Sequence, residues 1–247
     1  MSAPSSRTAP GHRATPAGVE VTRWWWIRHA PVREDGGNIY GQADLNCDCS
    51  DTVVFNAVAR ILPSNAAWYT SNLKRTHQTA NAVLAAGARA PSGFQQEPEF
   101  AEQHMGEWQG RNRADFVAKL SPEVASYWYA PADVRAPGGE SFVDLYERVR
   151  AAIARIGAAH AGQDIVAVAH GGTIKAAVAL ALGLDPEAGL RFVIDNCSVT
   201  RLDLLTSPGH AGWRIAMINQ QPWIADPSHA AMHQPAGPEV TPPGKLA

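Results

Sequence analysis

The stretch from Trp24 to Pro31 constrains the fold of this chain more than any other. Three tryptophans and an isoleucine form an apolar run that stops at two basic residues, Arg28 and His29. The proline then ends the strand pattern, because it has no backbone N–H for a sheet hydrogen bond. We therefore predict a buried strand over residues 21–27, with the tryptophans in the core and on the sheet face. Its carboxyl end delivers Arg28 and His29 to a crevice of the kind where open α/β sheets bind ligands.

The rest of the chain alternates between strand and helix patterns. Apolar periodicity predicts helices over 52–62, from Ser71 to Gly87, two short ones within 111–129, a long one after Ser141, and one ending at Leu182. Short apolar runs predict strands over 66–70, within 94–102, over 164–169, and a hairpin of 198–205 with 212–218. This alternation predicts an α/β fold, a three-layer sandwich with a mostly parallel central sheet flanked by helices.

Helix caps and the ends of the chain indicate the domain organisation. Ser71 is predicted to cap one helix, and Ser141 with Asp144 forms a predicted capping box for the long one. Residues 1–18 and 222–247 lack apolar periodicity, so we predict a disordered N-terminal lead and a loose Pro-rich tail. Residues 19–221 are then one domain.

Composition excludes several classes of function. The 247 residues carry a formal net charge of −2, which argues against nucleic-acid binding, since that usually requires a basic surface. No apolar run approaches the roughly 20 residues of a membrane helix. Three cysteines make no disulfide framework, so we expect a cytoplasmic protein. Cys47 and Cys49 lack the spacing of a zinc site, and we expect neither a metal nor a cofactor. A homodimer is compatible with the sequence.

Basic side chains recur at the predicted strand ends. Arg28 and His29 follow the first strand, Arg75 lies in the first turn of a helix after another, and His170 ends a third. Arginine offers a fork of donors that matches phosphate. Gly171 and Gly172 would leave bare N–H groups at a helix N-terminus, where anions bind. The sequence therefore predicts a pocket for a multiply charged anion such as phosphate.

These motifs resemble those of the histidine phosphatase superfamily, the phosphoglycerate mutase-like proteins. The similarity extends from about Arg23 to about Leu205, with the motifs in the family's order. The segments that carry it are Arg28-His29-Ala30, Ser71-Asn72-Leu73-Lys74-Arg75 with Thr79-Ala80, Glu102 with Gly106-Glu107-Trp108-Gln109-Gly110, Gly139-Glu140-Ser141, and Ala169-His170-Gly171-Gly172.

The resemblance implies a phosphoric monoester hydrolase of the histidine acid phosphatase type, with a small phosphorylated metabolite as substrate. His29 would be the nucleophile that forms a phosphohistidine, and Glu102 would be the general acid and base. His170, Arg28, Arg75 and Gly171 would bind the phosphoryl oxygens. Neighbouring arginine charges would keep the imidazole of His29 neutral and nucleophilic.

Several alternatives remain at this point. Glu97, Glu99 and Glu107 compete with Glu102 for the role of acid. The family's usual glycine is Ala30 here, and either Asn38 or Arg33 takes the place of an asparagine that touches phosphate in the family.

Two other functions remain open, a cofactor-dependent phosphoglycerate mutase-type phosphotransfer and a non-catalytic phosphate-binding module. The short segment between Glu102 and His170 favours a phosphatase over a mutase, because the mutases of the family carry a longer insertion there. The leaving group of the substrate has no readable signature; an α-ribazole phosphate is one compatible assignment.

Overall fold

The computed structural model describes residues 18–225 of the 247-residue chain. Within this range six strands form one sheet: β1 (Glu20–Arg28), β2 (Ala66–Thr70), β3 (Phe94–Gln96), β4 (Asp164–Ala169), β5 (Val199–Ser207) and β6 (His210–Gln220). Their spatial order is β3-β2-β4-β1-β5-β6. The first four strands in that order are parallel, β5 pairs antiparallel with β1, and β6 pairs antiparallel with β5. The predicted mostly parallel α/β sheet is confirmed.

Helices cover both faces of the sheet. They are α1 (Thr52–Ile61), α2 (Lys74–Ala85), α3 (Arg113–Val117), α4 (Pro122–Ala125), α5 (Phe142–Ala159), α6 (Gly171–Leu182) and α7 (Pro186–Gly189). The capping box that opens α5 has the predicted form, since the side chain of Ser141 accepts from the backbone of Asp144 and the Asp144 carboxylate accepts from the backbone of Ser141.

The tryptophans of β1 divide between the two layers of the core. Successive side chains of a strand point to opposite faces, so Trp24 and Trp26 pack with α5 and α6, whereas Trp25 packs with α1 and α2. The indole rings of Trp24 and Trp26 are stacked, with their centroids 5.3 Å apart. This first strand therefore joins the two halves of the core and fixes where its carboxyl end lies.

Two local details differ from the sequence predictions. Ser71 does not cap α2: the N-cap is Leu73, which makes no side-chain capping hydrogen bond. The Ser71 hydroxyl accepts instead from the backbone N–H of Leu73 and bonds to His170. At the other end, Trp223 is buried in the α1–α2 layer, while residues 1–17 and 226–247 of the predicted lead and tail lie outside the described residues.

None of the helices in the described part of the chain is long and apolar enough to span a membrane.

Candidate active site

The carboxyl ends of three parallel strands meet at one edge of the sheet. Arg28 of β1 is in register with Ala169 of β4, and β2 lies on the other side of β4. The chain leaves each strand at this edge. The backbone N–H of His29 still donates to the carbonyl of Ala169, across 3.0 Å. The fold thus brings together the basic residues that follow these strands.

His29 follows β1 at this edge of the sheet, and its side chain does not line the cavity described below. Its side chain is buried, and its ring centroid is 5.1 Å from that of His170. Its Nδ1 is 2.7 Å from the carbonyl oxygen of Ala30. A carbonyl can only accept, so Nδ1 carries the proton and Nε2 keeps its lone pair. Burial, then the charges of Arg75 and Arg28, hold the pKa of His29 well below its usual value of 6.5, so the imidazole is neutral at neutral pH.

Both ring nitrogens of His170 are engaged. The Nε of Arg75 donates to Nδ1 across 3.3 Å, and Nε2 is 2.8 Å from the hydroxyl of Ser71. Burial, followed by the charge of Arg75, keeps the pKa of His170 well below 6.5. Arg75 itself is buried, and its two terminal nitrogens donate to the carbonyls of Gly41 and Ala43. The loop between β1 and α1 therefore holds Arg75 in place.

Arg28 lies at the wall of the same site. One terminal nitrogen donates to the carbonyl of Ile194 across 2.6 Å. Its Nε is buried without a hydrogen-bond partner among the residues that the structure describes. A Cβ on Gly171 would lie 3.5 Å from this Nε, so the start of α6 approaches the guanidinium closely. An incoming phosphoryl oxygen would supply the partner that the buried Nε lacks.

Glu102 lies at the N-terminus of α6. Its two carboxylate oxygens are 3.2 and 3.3 Å from the backbone N of Gly172, and one of them also accepts from the N–H of Gln103. A Cβ at Gly172 would come within 2.3 Å of this carboxylate, so a larger residue there would displace the Glu102 side chain. The competing glutamates are elsewhere: Glu97 forms an ion pair with Arg155, and Glu107 is exposed.

A cavity of about 490 Å³ opens above Arg28, Glu102 and Gly171. Aromatic side chains, including Tyr40, Trp128 and Tyr129, line much of it. Lys175 of α6 reaches its wall and donates to the carbonyls of Tyr127 and Leu190, with Nζ 4.4 Å from the centre of the Trp128 ring. Burial lowers the pKa of Lys175 to about 8. The ammonium thus ties two loops of the cavity to α6.

Arg33 and Asn38, one of which is predicted to contact phosphate, are not in the cavity wall. Arg33 is exposed and pairs with Asp48 at 3.1 Å, and the carbonyl of Asn38 accepts from Arg113. Asn196 does line the cavity, and its Nδ2 donates to the carbonyl of His29 across 2.7 Å. Asn196 has no signature in the sequence, because it lies 167 residues from His29 in a loop without a motif.

Two other contacts in the site, one made by Arg75 and one by His170, are visible only in the structure. Tyr40 places its ring 5.2 Å from the guanidinium carbon of Arg75. Ser71 belongs to a sequence motif, but its hydrogen bond to His170 has no signature in the sequence. Across residues 18–225 no group of three or more His, Cys, Asp and Glu side chains is arranged to hold a metal ion.

The chain is similar in sequence to known phosphatases and mutases. Residues 24–221 match the model of the histidine phosphatase superfamily, branch 1. The chain is 30% identical to a glucosyl-3-phosphoglycerate phosphatase of Mycolicibacterium vanbaalenii over 206 residues, 79% of this chain and 84% of that one. It is also 30% identical to the 2,3-bisphosphoglycerate-dependent phosphoglycerate mutase 2 of Gloeobacter violaceus over 137 residues, 52% of this chain and 60% of that protein.

The fold has solved counterparts. The structure of a mycobacterial glucosyl-3-phosphoglycerate phosphatase superposes with a TM-score of 0.67 at 25% identity, covering 81% of this chain and 99% of that one. The similarity therefore extends over nearly the whole described part of the chain.

Proposed function

The chain belongs to the histidine phosphatase superfamily, branch 1, and we propose that within it the protein is a phosphomonoesterase that hydrolyses a small phosphorylated metabolite through a phosphohistidine on His29. One observation carries the proposal. The buried imidazole of His29 has its Nδ1 proton fixed on the Ala30 carbonyl, which leaves the Nε2 lone pair for attack. The relatives of this chain include phosphatases.

In the first step Nε2 of His29 attacks phosphorus, and the bond from phosphorus to the leaving-group oxygen breaks. Charge spreads over the equatorial oxygens in a loose transition state. Arg28, Arg75 and the N–H groups at the start of α6 bear on these oxygens. In the second step a water molecule attacks the phosphohistidine, and inorganic phosphate leaves.

Glu102 is the proton carrier in this mechanism. In its protonated form it gives a proton to the departing alkoxide, and as the carboxylate it takes one from the attacking water. Without substrate it accepts from Gly172 N–H, a donor that also suits a phosphoryl oxygen. Substrate binding would therefore displace the carboxylate from the helix N-terminus toward the leaving group.

Charge pairing in the cavity favours hydrolysis over transfer between phosphoglycerates. A mutase must hold a substrate whose second acidic group needs a cation beyond the phosphate site. Here Arg113 pairs with Asp35 at 2.6 Å, and Lys175 is engaged by two carbonyls. Arg191, which also lines the cavity, places its guanidinium carbon 5.6 Å from the centre of the Tyr127 ring. Aromatic walls suit an uncharged, bulkier leaving group instead.

A panel of phosphomonoesters with a readout of inorganic phosphate tests the proposal. Wild-type protein should release phosphate in excess chelator, because none of the proposed steps uses a metal. His29→Ala should not, and Glu107→Gln, an exposed neighbour, should match wild type. If the protein releases phosphate from none of the phosphomonoesters, it is a phosphate-binding module and not a phosphatase. Transfer between phosphoglycerates faster than hydrolysis would make the protein a mutase.

The cytoplasmic location, the lack of a nucleic-acid partner and the oligomeric state stay as predictions from the sequence.

A further inference from the structure

The three cysteines of this chain converge beside the active site. Cys47 and Cys49 lie in the loop between β1 and α1, and Cys197 lies just before β5. All three pack in the apolar cluster that contains Ala30, the residue after the nucleophile. The sulfur atoms of Cys47 and Cys49 are 3.6 Å apart, in van der Waals contact. The proposed phosphatase chemistry uses none of these thiols.

We propose that Cys47 and Cys49 are a redox modification site: a hydroperoxide converts them to a disulfide that slows the enzyme, and thiols reverse the change. The backbone permits this bond. Residues two apart have Cα atoms separated by at most about 7 Å, and disulfides join Cα atoms about 4.4–6.8 Å apart. The two sulfurs need only close from 3.6 Å to about 2 Å.

Cys47 is the thiol that reacts first. It is half-buried and therefore within reach of a small oxidant. A hydrogen bond from the Cys49 thiol, together with the charge of Arg75, lowers the pKa of Cys47. The lowered pKa favours the thiolate, and the thiolate is the form that attacks peroxide. Cys197 is unsuited to this role, because burial raises its pKa to about 12.

The reaction balances with a hydroperoxide as the two-electron oxidant. The Cys47 thiolate attacks one oxygen of hydrogen peroxide and the O–O bond breaks, which gives a sulfenic acid and hydroxide. The proton that the thiol released on ionisation converts this hydroxide to water. The Cys49 sulfur then attacks the sulfenic sulfur. The S–S bond forms, the S–O bond breaks, and the hydroxide leaves with the thiol proton as a second water.

Reversal by thiols follows from the size of the ring. A disulfide that closes such a short loop removes little entropy from the unfolded chain, so it adds little stability. Disulfides that are strained or exposed are the ones that cellular thiols reduce readily.

Two contacts of the Cys47 sulfur connect the disulfide to the active site. The Cys47 sulfur lies 3.3 Å from the carbonyl oxygen of Arg75 and 3.5 Å from the hydroxyl of Thr79. That hydroxyl accepts the backbone N–H of Ala30 across 2.8 Å. The disulfide has no thiol proton, so the hydrogen bond from Cys47 to the Arg75 carbonyl is lost as the sulfur shifts toward Cys49. The loop that moves with it also carries the carbonyls of Gly41 and Ala43, which hold the Arg75 guanidinium.

Activity should respond because the geometry of the phosphate site depends on these contacts. A misplacement of about 1 Å of a catalytic group can cost about 100-fold in rate. We expect the oxidised protein to turn over substrate about tenfold more slowly than the reduced protein, a smaller loss than this 100-fold.

The test combines mass spectrometry with activity. The full-length protein is treated with hydrogen peroxide, its remaining thiols are alkylated, and the Cys47–Cys49 peptide is examined for the loss of two hydrogens. Wild type should form this disulfide, lose activity about tenfold and recover both thiols and activity in dithiothreitol. Cys197→Ser should behave in the same way. Cys49→Ser should form no disulfide. Its Cys47 should stop at the sulfenic acid, which dithiothreitol should reduce to the thiol.

Two results would overturn the proposal: no Cys47–Cys49 disulfide in peroxide-treated wild type, or a mapped disulfide with unchanged activity. The activity measurement rests on the proposed phosphatase function, whereas the mass measurement does not. If the protein proves to hydrolyse no phosphomonoester, the change in inorganic phosphate affinity on oxidation replaces turnover as the readout, and an unchanged affinity with a mapped disulfide counts against the proposal.

Discussion

The guanidinium of Arg75 donates from Nε to Nδ1 of His170, across 3.3 Å. Arginine has no acceptor atom and stays protonated, so Nδ1 must be the acceptor. The imidazole is therefore neutral, with its proton on Nε2 toward the hydroxyl of Ser71. In the proposed mechanism one residue thus provides charge for phosphate, and the same residue fixes the tautomer of the second histidine.

This arrangement predicts how stability depends on pH. The folded-state pKa values of His29 and His170 are well below 6.5, whereas unfolded histidine titrates near 6.5. Below pH 6.5 the unfolded chain binds protons that the native protein does not, so stability falls as pH falls. Each histidine contributes at most about 1.4 kcal/mol per pH unit.

Urea unfolding between pH 7 and pH 5 measures this slope. His170→Asn should reduce the slope, because one of the two low-pKa groups is gone. His210→Asn, which changes an exposed histidine of the β5–β6 hairpin, serves as the matched control and should leave it unchanged. Equal slopes in His170→Asn and wild type would contradict the neutral buried imidazole.

The position of Glu102 predicts a dependence on the leaving group. A proton donor matters for a basic alkoxide and much less for a nitrophenolate, which leaves without help. Glu102→Gln keeps the size of the side chain but cannot deliver a proton, and such catalysis is typically worth about 10²–10⁴-fold. Single-turnover phosphorylation of His29 should therefore slow strongly with an alkyl phosphate and far less with p-nitrophenyl phosphate.

Glu107→Gln is the control for this experiment, since Glu107 is exposed. Equal losses on both substrates in Glu102→Gln would mean that the carboxylate only positions the phosphate or the start of α6.

The order of strands and helices, and the residues that follow the strands, could be predicted because they depend on local patterns. Apolar periodicity sets each element, and parallel strands necessarily bring Arg28 and His170 to one edge. The capping box of Ser141 and Asp144 is equally local.

The rest of the site depends on contacts between distant loops. Asn196 reaches the backbone of His29 only because β5 returns beside β1. Ser71 has the side chain of a helix cap, but its hydroxyl is engaged by His170 and by the N–H of Leu73, so α2 begins three residues later. A sequence pattern records the capping preference and not the competing tertiary partner.

Trp223 gives a test of where the folded domain ends. Its side chain is 6% exposed in the α1–α2 layer, whereas the neighbouring Ile224 is 63% exposed. Trp223→Ala should destabilise the protein by about 3–5 kcal/mol, the usual cost of removing a buried aromatic ring. Its thermal midpoint should fall by roughly 6–20 °C, at about 2–4 °C per kcal/mol for a domain of this size.

Ile224→Ala should change stability by less than about 0.5 kcal/mol, as surface substitutions usually do. Equal thermal midpoints for Trp223→Ala and Ile224→Ala would mean that the folded domain ends before Trp223.

The central claim is the covalent step on His29, and rapid-quench trapping with a ³²P-labelled substrate tests it most directly. Wild type should accumulate an acid-labile, base-stable phosphohistidine within one turnover, mapped to the peptide that contains His29. His29→Ala should keep its fold, form no such adduct and retain less than about a thousandth of wild-type turnover. Turnover above that level in His29→Ala, or a phosphoryl group mapped to another residue, would contradict the assignment of the nucleophile.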